Sequence, residues 1–520
     1  MRPEDWIAHD PDPTTAAELA ALDLHELAAR FARPLTFGTA GLRGPVRGGP
    51  DAMNIAVVLR ATWALAQVIG AGSVIVGRDA RHGSAMFATA AAEALAAQGF
   101  SVLLYPGPVP TPVVAFAVRA TGAVAGIQIT ASHNPATDNG YKVYLQGGLQ
   151  IVSPTDRQIE AAIPAAPPAD EIPRIPVQPA ETDLLERYIR RAAGVRRGAG
   201  GLRVALTPMH GVGGAVAVQT LRRAGFDDVH TVTTQFTPDP DFPTVDFPNP
   251  EEPGATDALL TLAADVDADI AIALDPDADR CAVGIPTGSG WRMLSGDETG
   301  WLLGDYILSQ PATGRRTVAS TVVSSRMLAA IAHHHGAMHV ETPTGFKWLA
   351  RADGEHPGSL VYAYEEAIGH CVDPAAVRDK DGISAAVLCC DLVVSLQQRG
   401  RTVLDALDDL ARRYGVHEVG AVSRRVANAE EAAAVMRRLR QAPPARLAGL
   451  PMRVTDSDDA LIYAGGDQNT SARVVVRPSG TEPKLKCYLE IRCKPTEDLS
   501  TARQRAKELR DQLKAEIAHW

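Results

Sequence analysis

The sequence predicts a multidomain α/β protein closed by a smaller α+β domain, on three observations. A chain of 520 residues exceeds what one hydrophobic core supports, so three or four domains are expected. Through most of its length, apolar strand-like runs alternate with alanine-rich helical patterns, as in GSVIVGRDA, MFATAAAEALAAQG and SVLLYP, which is the pattern of βαβ units. Near the C-terminus the pattern changes: RVVVRPSG and KLKCYLEIRCK, followed by a helix from Leu499 to the end, read as an α+β layer instead of another parallel sheet.

The elements follow in order. After a helical N-terminal arm, the strand-like AVAGIQIT runs directly into ASHNPATDNGYK. This places Ser132 in a loop at the C-terminal end of a strand, where α/β sheets collect their ligands. Lys142 is expected in the same loop, facing the same cleft. The proline-rich AAIPAAPPADEIPRIPVQPAETD excludes a long helix or a central strand and marks a linker near residues 162 to 182. A second unit opens with a helix capped by Thr182 or Asp183, then LRVALTP, MHGVGG and ADIAIALDPDADR. A third runs from GDETGWLLGDYIL through TVASTVVSS and SLVYAYEEAIGH to the helix ISAAVLCCDLVVSLQQRG. The expected domains are 1–180, 181–290, 291–414 and 415–520.

Composition excludes several classes. Apolar residues make up 46% and charged residues 22%, and no run approaches the roughly 20 apolar residues that span a bilayer. MRPEDWIAHDPDP carries acids and prolines where a secretory signal has a basic segment and an apolar core. A net charge of −10 without a basic run argues against a nucleic-acid surface. The expectation is a cytoplasmic protein with neither membrane nor nucleic-acid partners. Cys281, Cys371, Cys389, Cys390, Cys487 and Cys493 form no C-x-x-C pair and read as core residues in a reducing compartment. The triplet His333 to His335 reads as a helix end.

Five segments carry chemistry. In DPDADR, Asp275, Asp277 and Asp279 alternate immediately after an apolar strand. Three such anions repel one another unless neutralised, and a hard divalent cation, Mg²⁺ best, does so; a solvated turn is the alternative. An EF-hand is excluded, because its sixth position is Arg280 and its twelfth Pro286. In TASHNP, Ser132 sits beside His133 in a turn that exposes a hydroxyl, with no G-x-S-x-G elbow; taken alone, the hexapeptide reads first as an Asn-Pro turn or a helix cap. GTAGLRG offers Arg43 as a two-pronged donor to an anionic oxygen. RPSGTEPK repeats that chemistry: Arg477 supplies a fork, Ser479 and Thr481 hydroxyls, and Gly480 a close backbone approach. YEEAIGH places Glu365 and Glu366 at a strand end, to bind sugar hydroxyls or to form ion pairs.

Taken together and in this order, TASHNP, DPDADR, EEAIGH and RPSGT resemble the α-D-phosphohexomutase family, the phosphoglucomutases, phosphomannomutases and their relatives, over nearly the whole chain. The resemblance implies four domains around one central cleft, three of them related α/β domains. It makes Ser132 a phosphoserine, and Asp275, Asp277 and Asp279, with an oxygen from Ser132, the ligands of one Mg²⁺. Arg43, His133 and Lys142 then flank the transfer site, Arg280 follows the metal loop, and Glu365 and Glu366 take sugar hydroxyls. Lys380 in RDKDG and Arg477, Ser479, Gly480 and Thr481 hold phosphate. The implied activity interconverts hexose 1-phosphate and hexose 6-phosphate through a bisphosphorylated sugar, with a sugar bisphosphate as activator. A base must take the incoming hydroxyl proton. Lys142 is preferred and needs a lowered pKa to serve; His133 and His370 are the other candidates. Two positions depart from the family pattern: Ala367 stands where a serine is common, and Phe346 where many bacterial mannomutases have histidine. FGTAGLRG, EEAIG and RDKDG look most like the branch that includes phosphopentomutases and bacterial glucomutases. A pentomutase acting on ribose 1-phosphate is therefore the alternative, and a non-catalytic sugar-phosphate-binding relative a further one.

Overall fold

The computed structural model describes residues 2–37, 41–354, 358–457, 460–478 and 484–520. The chain divides into two compact units. One comprises Met1–Thr299, Gly345–Arg351 and Leu360–Ser395; the other comprises Gly300–Thr344, Ala352–Ser359 and Leu396–Trp520.

The first unit begins with three short helices, Pro3–Ala8, Pro13–Ala20 and Leu24–Ala32. The second and third start on Asp12 and Asp23, whose carboxylates accept the free N–H of Thr14 and Glu26. Next comes a sheet in the order Leu42–Pro45, Asp138–Leu145, Ala125–Ile129, Ser73–Arg78, Ser101–Leu104. The last three strands are mutually parallel, and Asp138–Leu145 runs antiparallel to Ala125–Ile129. Every residue of Ala125–Ile129 is buried, as a strand covered on both faces must be. Ala125, Ile127 and Ile129 join the core formed with the helices Ile55–Val68 and Ser84–Ala97. Gly126 faces the helix Thr111–Thr121, where a Cβ would meet Val118 and Val114.

A second sheet repeats this connectivity. Asp228–Thr231, Arg203–Thr207 and Ile270–Leu274 are parallel, and Cys281–Thr287 returns antiparallel to Ile270–Leu274. The serine loop and the aspartate loop thus occupy equivalent places, each joining the third parallel strand to its antiparallel neighbour. The segment 366–368 turns between Ser359–Glu365 and Gly369–Cys371, which pair antiparallel. After the helix Thr155–Ala162, the proline-rich segment to residue 182 holds only the 3₁₀ turns Ile163–Ala165 and Ala169–Glu171. Arg60 fastens it by donating to the carbonyls of Ile163, Ala166 and Pro167.

In the second unit Arg316–Thr321 and Met338–Thr342 are parallel, joined through the helix Met327–His334, whose last turn carries His333 and His334. Its other sheet is antiparallel throughout, in the order Val416–Arg425, Lys484–Cys493, Thr470–Pro478, Ala460–Gly466, Leu450–Ser457, Arg446–Leu447. The helices Ala429–Gln441 and Leu499–Ile517 contribute to its core, an α+β arrangement. Glu490 is buried in this unit. It accepts from Ser325 Oγ at 2.7 Å and from Arg326 N and Nε at 2.9 and 2.5 Å, and lies 2.7 Å from His417 Nδ1. Burial opposes its charge, but His417 and Arg326 outweigh burial and hold the carboxyl far below its ordinary range. All six cysteines are free and buried. Among the described residues no helix is long and apolar enough to cross a membrane.

Candidate active site

The first unit gathers the serine loop, the aspartate loop and the glutamate turn at one place. Ser132 Oγ donates to Asp275 Oδ2 at 2.8 Å and lies 3.3 Å from His133 Nδ1. Ser132 is 1% exposed, and Asp275, Asp277 and Asp279 are 0% exposed. Each of the three loops contains a non-glycine residue in the left-handed region: Ser132 (φ 55), Ala278 (φ 55) and Ile368 (φ 51). Such residues cost roughly 1–2 kcal/mol apiece, and they concentrate where a loop must aim its groups.

Cations surround the acids. Lys142 Nζ donates to Asp277 Oδ2 at 2.6 Å and Asp279 Oδ2 at 2.8 Å. Lys380 Nζ is 3.4 Å from Asp279 Oδ2. Arg280 reaches Asp279 at 3.8 Å, Glu365 at 3.5 Å and Glu251 at 3.9 Å, and its backbone N–H donates to Asp275 Oδ1 at 3.0 Å. Arg43, on the strand Leu42–Pro45, contacts Asn134 at 3.4 Å, and burial lowers its pKa.

The donor set fits a hard divalent cation. One oxygen from each aspartate lies within 4.8 Å of the others, and Asp277 Oδ1 and Asp279 Oδ1 are buried without a hydrogen-bond partner. All the donors are oxygens. Without a cation the cluster distributes charge unevenly. Burial, then Asp277 and Asp279, push the Asp275 carboxyl well up. Burial pushes on Asp277 as well, but Lys142 overcomes it and holds that carboxyl low.

Residues absent from the sequence expectations support the loops. Thr111, at the start of its helix, donates its hydroxyl to Asp277 Oδ2 at 2.6 Å and its N–H to the Asp277 carbonyl at 2.9 Å. Arg81 threads under the serine loop and donates to four of its carbonyls: Ser132 (2.7 Å), Asn134 (2.6 Å), Pro135 (2.6 Å) and Asp138 (3.1 Å). The available signal was GRDAR at the C-terminal end of the strand Ser73–Arg78, where sheet ligands gather. A lysine at 81 cannot reach four carbonyls, and each buried carbonyl left unpaired costs about 1–3 kcal/mol. Arg81→Lys is therefore expected to lower the melting temperature and to reduce kcat about 10–100-fold through misplacement of Ser132. Turnover measured beside a thermal melt checks this; wild-type kcat in a destabilised variant would show that Arg81 only stabilises.

Two expectations need correction. Lys142 is not in the serine loop but on the strand Asp138–Leu145, opposite Gln128. It also lacks the lowered pKa of a base: burial pulls it down, but Asp277 and Asp279 outweigh this and leave it raised. His370 does not face the cluster. Strand neighbours point to opposite faces, and it is the adjacent Gly369 that faces the Glu365 and Lys380 side chains. His370 stacks on Tyr362 and Tyr364, and burial pulls its pKa down to about 3. His133 does contact Ser132, and burial, Arg280 and Arg43 pull its pKa well below the ordinary histidine range. Glu365 faces Arg280, and the carbonyl of Glu366 closes over Gly296. Arg477 belongs to the second unit, at the end of Thr470–Pro478, with a buried Nε that has no partner. Ser479, Gly480 and Thr481, and Gly38 to Ala40 of GTAGLRG, lie outside the described residues.

Comparison with known proteins is consistent across the chain. Family models described as phosphoglucomutase/phosphomannomutase alpha/beta/alpha domains I, II and III match residues 34–169, 186–288 and 295–414, and the C-terminal domain of that family matches 424–509. A Haemophilus influenzae protein named probable phosphomannomutase is 40% identical over 465 residues, covering 86% of this chain and 94% of that protein. A Schizosaccharomyces pombe protein named probable phosphoribomutase is 32% identical over 573 residues, covering 99% of this chain and 97% of its own. The crystal structure of a phosphoglucomutase/phosphomannomutase family protein from Burkholderia thailandensis shares the fold. Its TM-score is 0.70 at 20% identity, covering 92% of this chain and 97% of that one.

Proposed function

Because the chain belongs to the phosphoglucomutase/phosphomannomutase family, we propose that it is a phosphomutase interconverting hexose 1-phosphate and hexose 6-phosphate, of glucose, mannose or both. The carrying observation is the Ser132 hydroxyl, 2.8 Å from Asp275 inside a buried carboxylate triad. Asp275, Asp277 and Asp279, with an oxygen from Ser132, would hold one Mg²⁺ per chain. When bound, it neutralises charge on the phosphoryl group in transit.

Phosphorylated Ser132 donates its phosphoryl group to a substrate hydroxyl. The Oγ–P bond breaks as the new P–O bond forms, and His133, 3.3 Å from Oγ, passes the hydroxyl proton to the departing Oγ. The bisphosphorylated sugar turns end for end, and its other phosphate returns to Ser132 by the reverse step. Lys142, Lys380, Arg43 and Arg280 supply the positive charge that such transfers need more than covalent help. Glu365 and Glu366 orient sugar hydroxyls, and Arg477, with Ser479, Gly480 and Thr481, takes the distal phosphate. A sugar bisphosphate primes the serine. Six buried, reduced cysteines support a cytoplasmic setting.

A pentomutase reading has its own support, since the relative named phosphoribomutase aligns with 99% of the chain. Side-by-side turnover of glucose, mannose and ribose 1-phosphates, with Mg²⁺ and a sugar bisphosphate, decides between them. The hexose phosphates are expected to show the higher kcat/KM. A higher value for ribose 1-phosphate selects the second reading, and no conversion of any of them rejects both.

A further inference from the structure

We propose that the second unit carries its own binding site for a small molecule bearing at least two phosphate groups, in a cavity of about 790 Å³ beside the helix Met327–His334. That volume lies in the range of about 300–1,000 Å³ typical of small-molecule sites. Three arginines from separate elements line it: Arg326 just before that helix, Arg413 at the end of the helix Val403–Tyr414, and Arg492 on the strand Lys484–Cys493.

Their partners show which charge is left for a ligand. Arg326 is held by Glu490, yet its Nη2 is buried with no partner. Arg492 is fixed by donation to the Tyr414 carbonyl at 3.2 Å, and its buried Nε has no partner. Among the described residues neither Arg413 nor Arg492 has a carboxylate within 4.0 Å. The one carboxylate lining the cavity, Glu341, is occupied by both Nη atoms of Arg473 at 2.7 and 2.8 Å. Buried donors without partners, here Arg326 Nη2 and Arg492 Nε, are rare and costly, and guanidinium groups lining one space match phosphate oxygens. Ala329 and Ala330 line the floor, and the edge-on rings of His334 and Tyr414, 5.7 Å apart, give an aromatic wall, with the Arg413 guanidinium 5.7 Å from the centre of the Tyr414 ring.

The cavity is not the phosphate loop of this unit. Arg492 lies eight residues along its strand from Lys484, where the chain returns from that loop, a separation of about 26 Å.

The test is calorimetric titration of the full chain with inorganic pyrophosphate. The wild type is expected to bind, and the double variant Arg413→Gln/Arg492→Gln, which removes two charged donors, to bind at least about tenfold more weakly. Neither residue belongs to the transfer site, so turnover without pyrophosphate is expected to stay at the wild-type level and reports that the variant is folded. Ala330→Trp, which fills the cavity and leaves the arginines in place, is expected to give the same loss. Arg43→Gln, at the transfer site, is expected to leave this binding intact. Equal affinity in the wild type and both cavity variants overturns the proposal. So does binding that disappears with Arg43→Gln, or no binding by the wild type.

Discussion

Ser132→Ala is expected to abolish turnover, with kcat falling on the order of 10⁴-fold or more, as when a nucleophile central to catalysis is removed. The protein should remain folded. The substitution removes one hydroxyl that donates to Asp275, at a cost of about 1–2 kcal/mol, and alanine already occupies the same left-handed conformation at Ala278. Intact mass separates this relay from a merely structural serine. The wild type, incubated with a sugar bisphosphate, should gain one phosphoryl group and the variant none. Appreciable turnover by the variant would rule out a relay through Ser132.

Asp275→Asn carries the second large effect, and its two halves have opposite signs. An asparagine oxygen can still accept the Arg280 N–H while its NH₂ donates to the Ser132 oxygen, but the triad loses one negative charge. Mg²⁺ affinity and turnover should collapse, kcat by on the order of 10³-fold. Without metal, however, the variant is expected to be as stable as the wild type or more so. Three buried carboxylates repel one another, and Lys142 directly pairs with only Asp277 and Asp279. In the wild type, Mg²⁺ at about 100 times its Kd adds about 2.7 kcal/mol of stability; in the variant that increment should vanish. Thermal melts with Mg²⁺ and with a chelator measure both halves, and an unchanged metal response would remove Asp275 from the site.

How legible these features were depends on how far along the chain each one reaches. DPDADR and TASHNP declare themselves because their groups lie within a few residues of one another at strand ends, where periodicity already places a loop. Thr111 and Arg81 were not legible. Their partners stand 166 and 51 residues away, and a threonine after proline or an arginine after a strand has many ordinary uses. Lys142 was misassigned to a loop because NGYK reads as a turn, whereas pairing across Gln128 draws it into the sheet. Once there, its proton affinity is set by carboxylates 135 and 137 residues distant. His370 was misjudged for a smaller reason: a shift of one position along a strand exchanges faces, and EEAIGH does not reveal which residue faces the cluster. In the C-terminal part, the change from alternating to purely antiparallel structure was visible because two long strand patterns follow each other with no helix between.

The aspartate loop is wedged between two segments that admit no side chain. A Cβ on Gly211 would lie 2.3 Å from Pro276 Cα, and one on Gly382 2.3 Å from the Arg280 carbonyl. For anyone redesigning this protein toward another sugar, diversity is wasted on that stretch and its two buttresses, since any replacement there would shift the aspartates before it touched the substrate. Randomised libraries belong instead at Phe346, away from the glycine contacts that brace both the aspartate loop and, through Gly296, the turn at 366–368. Preference for a new sugar can then be selected without losing the ion.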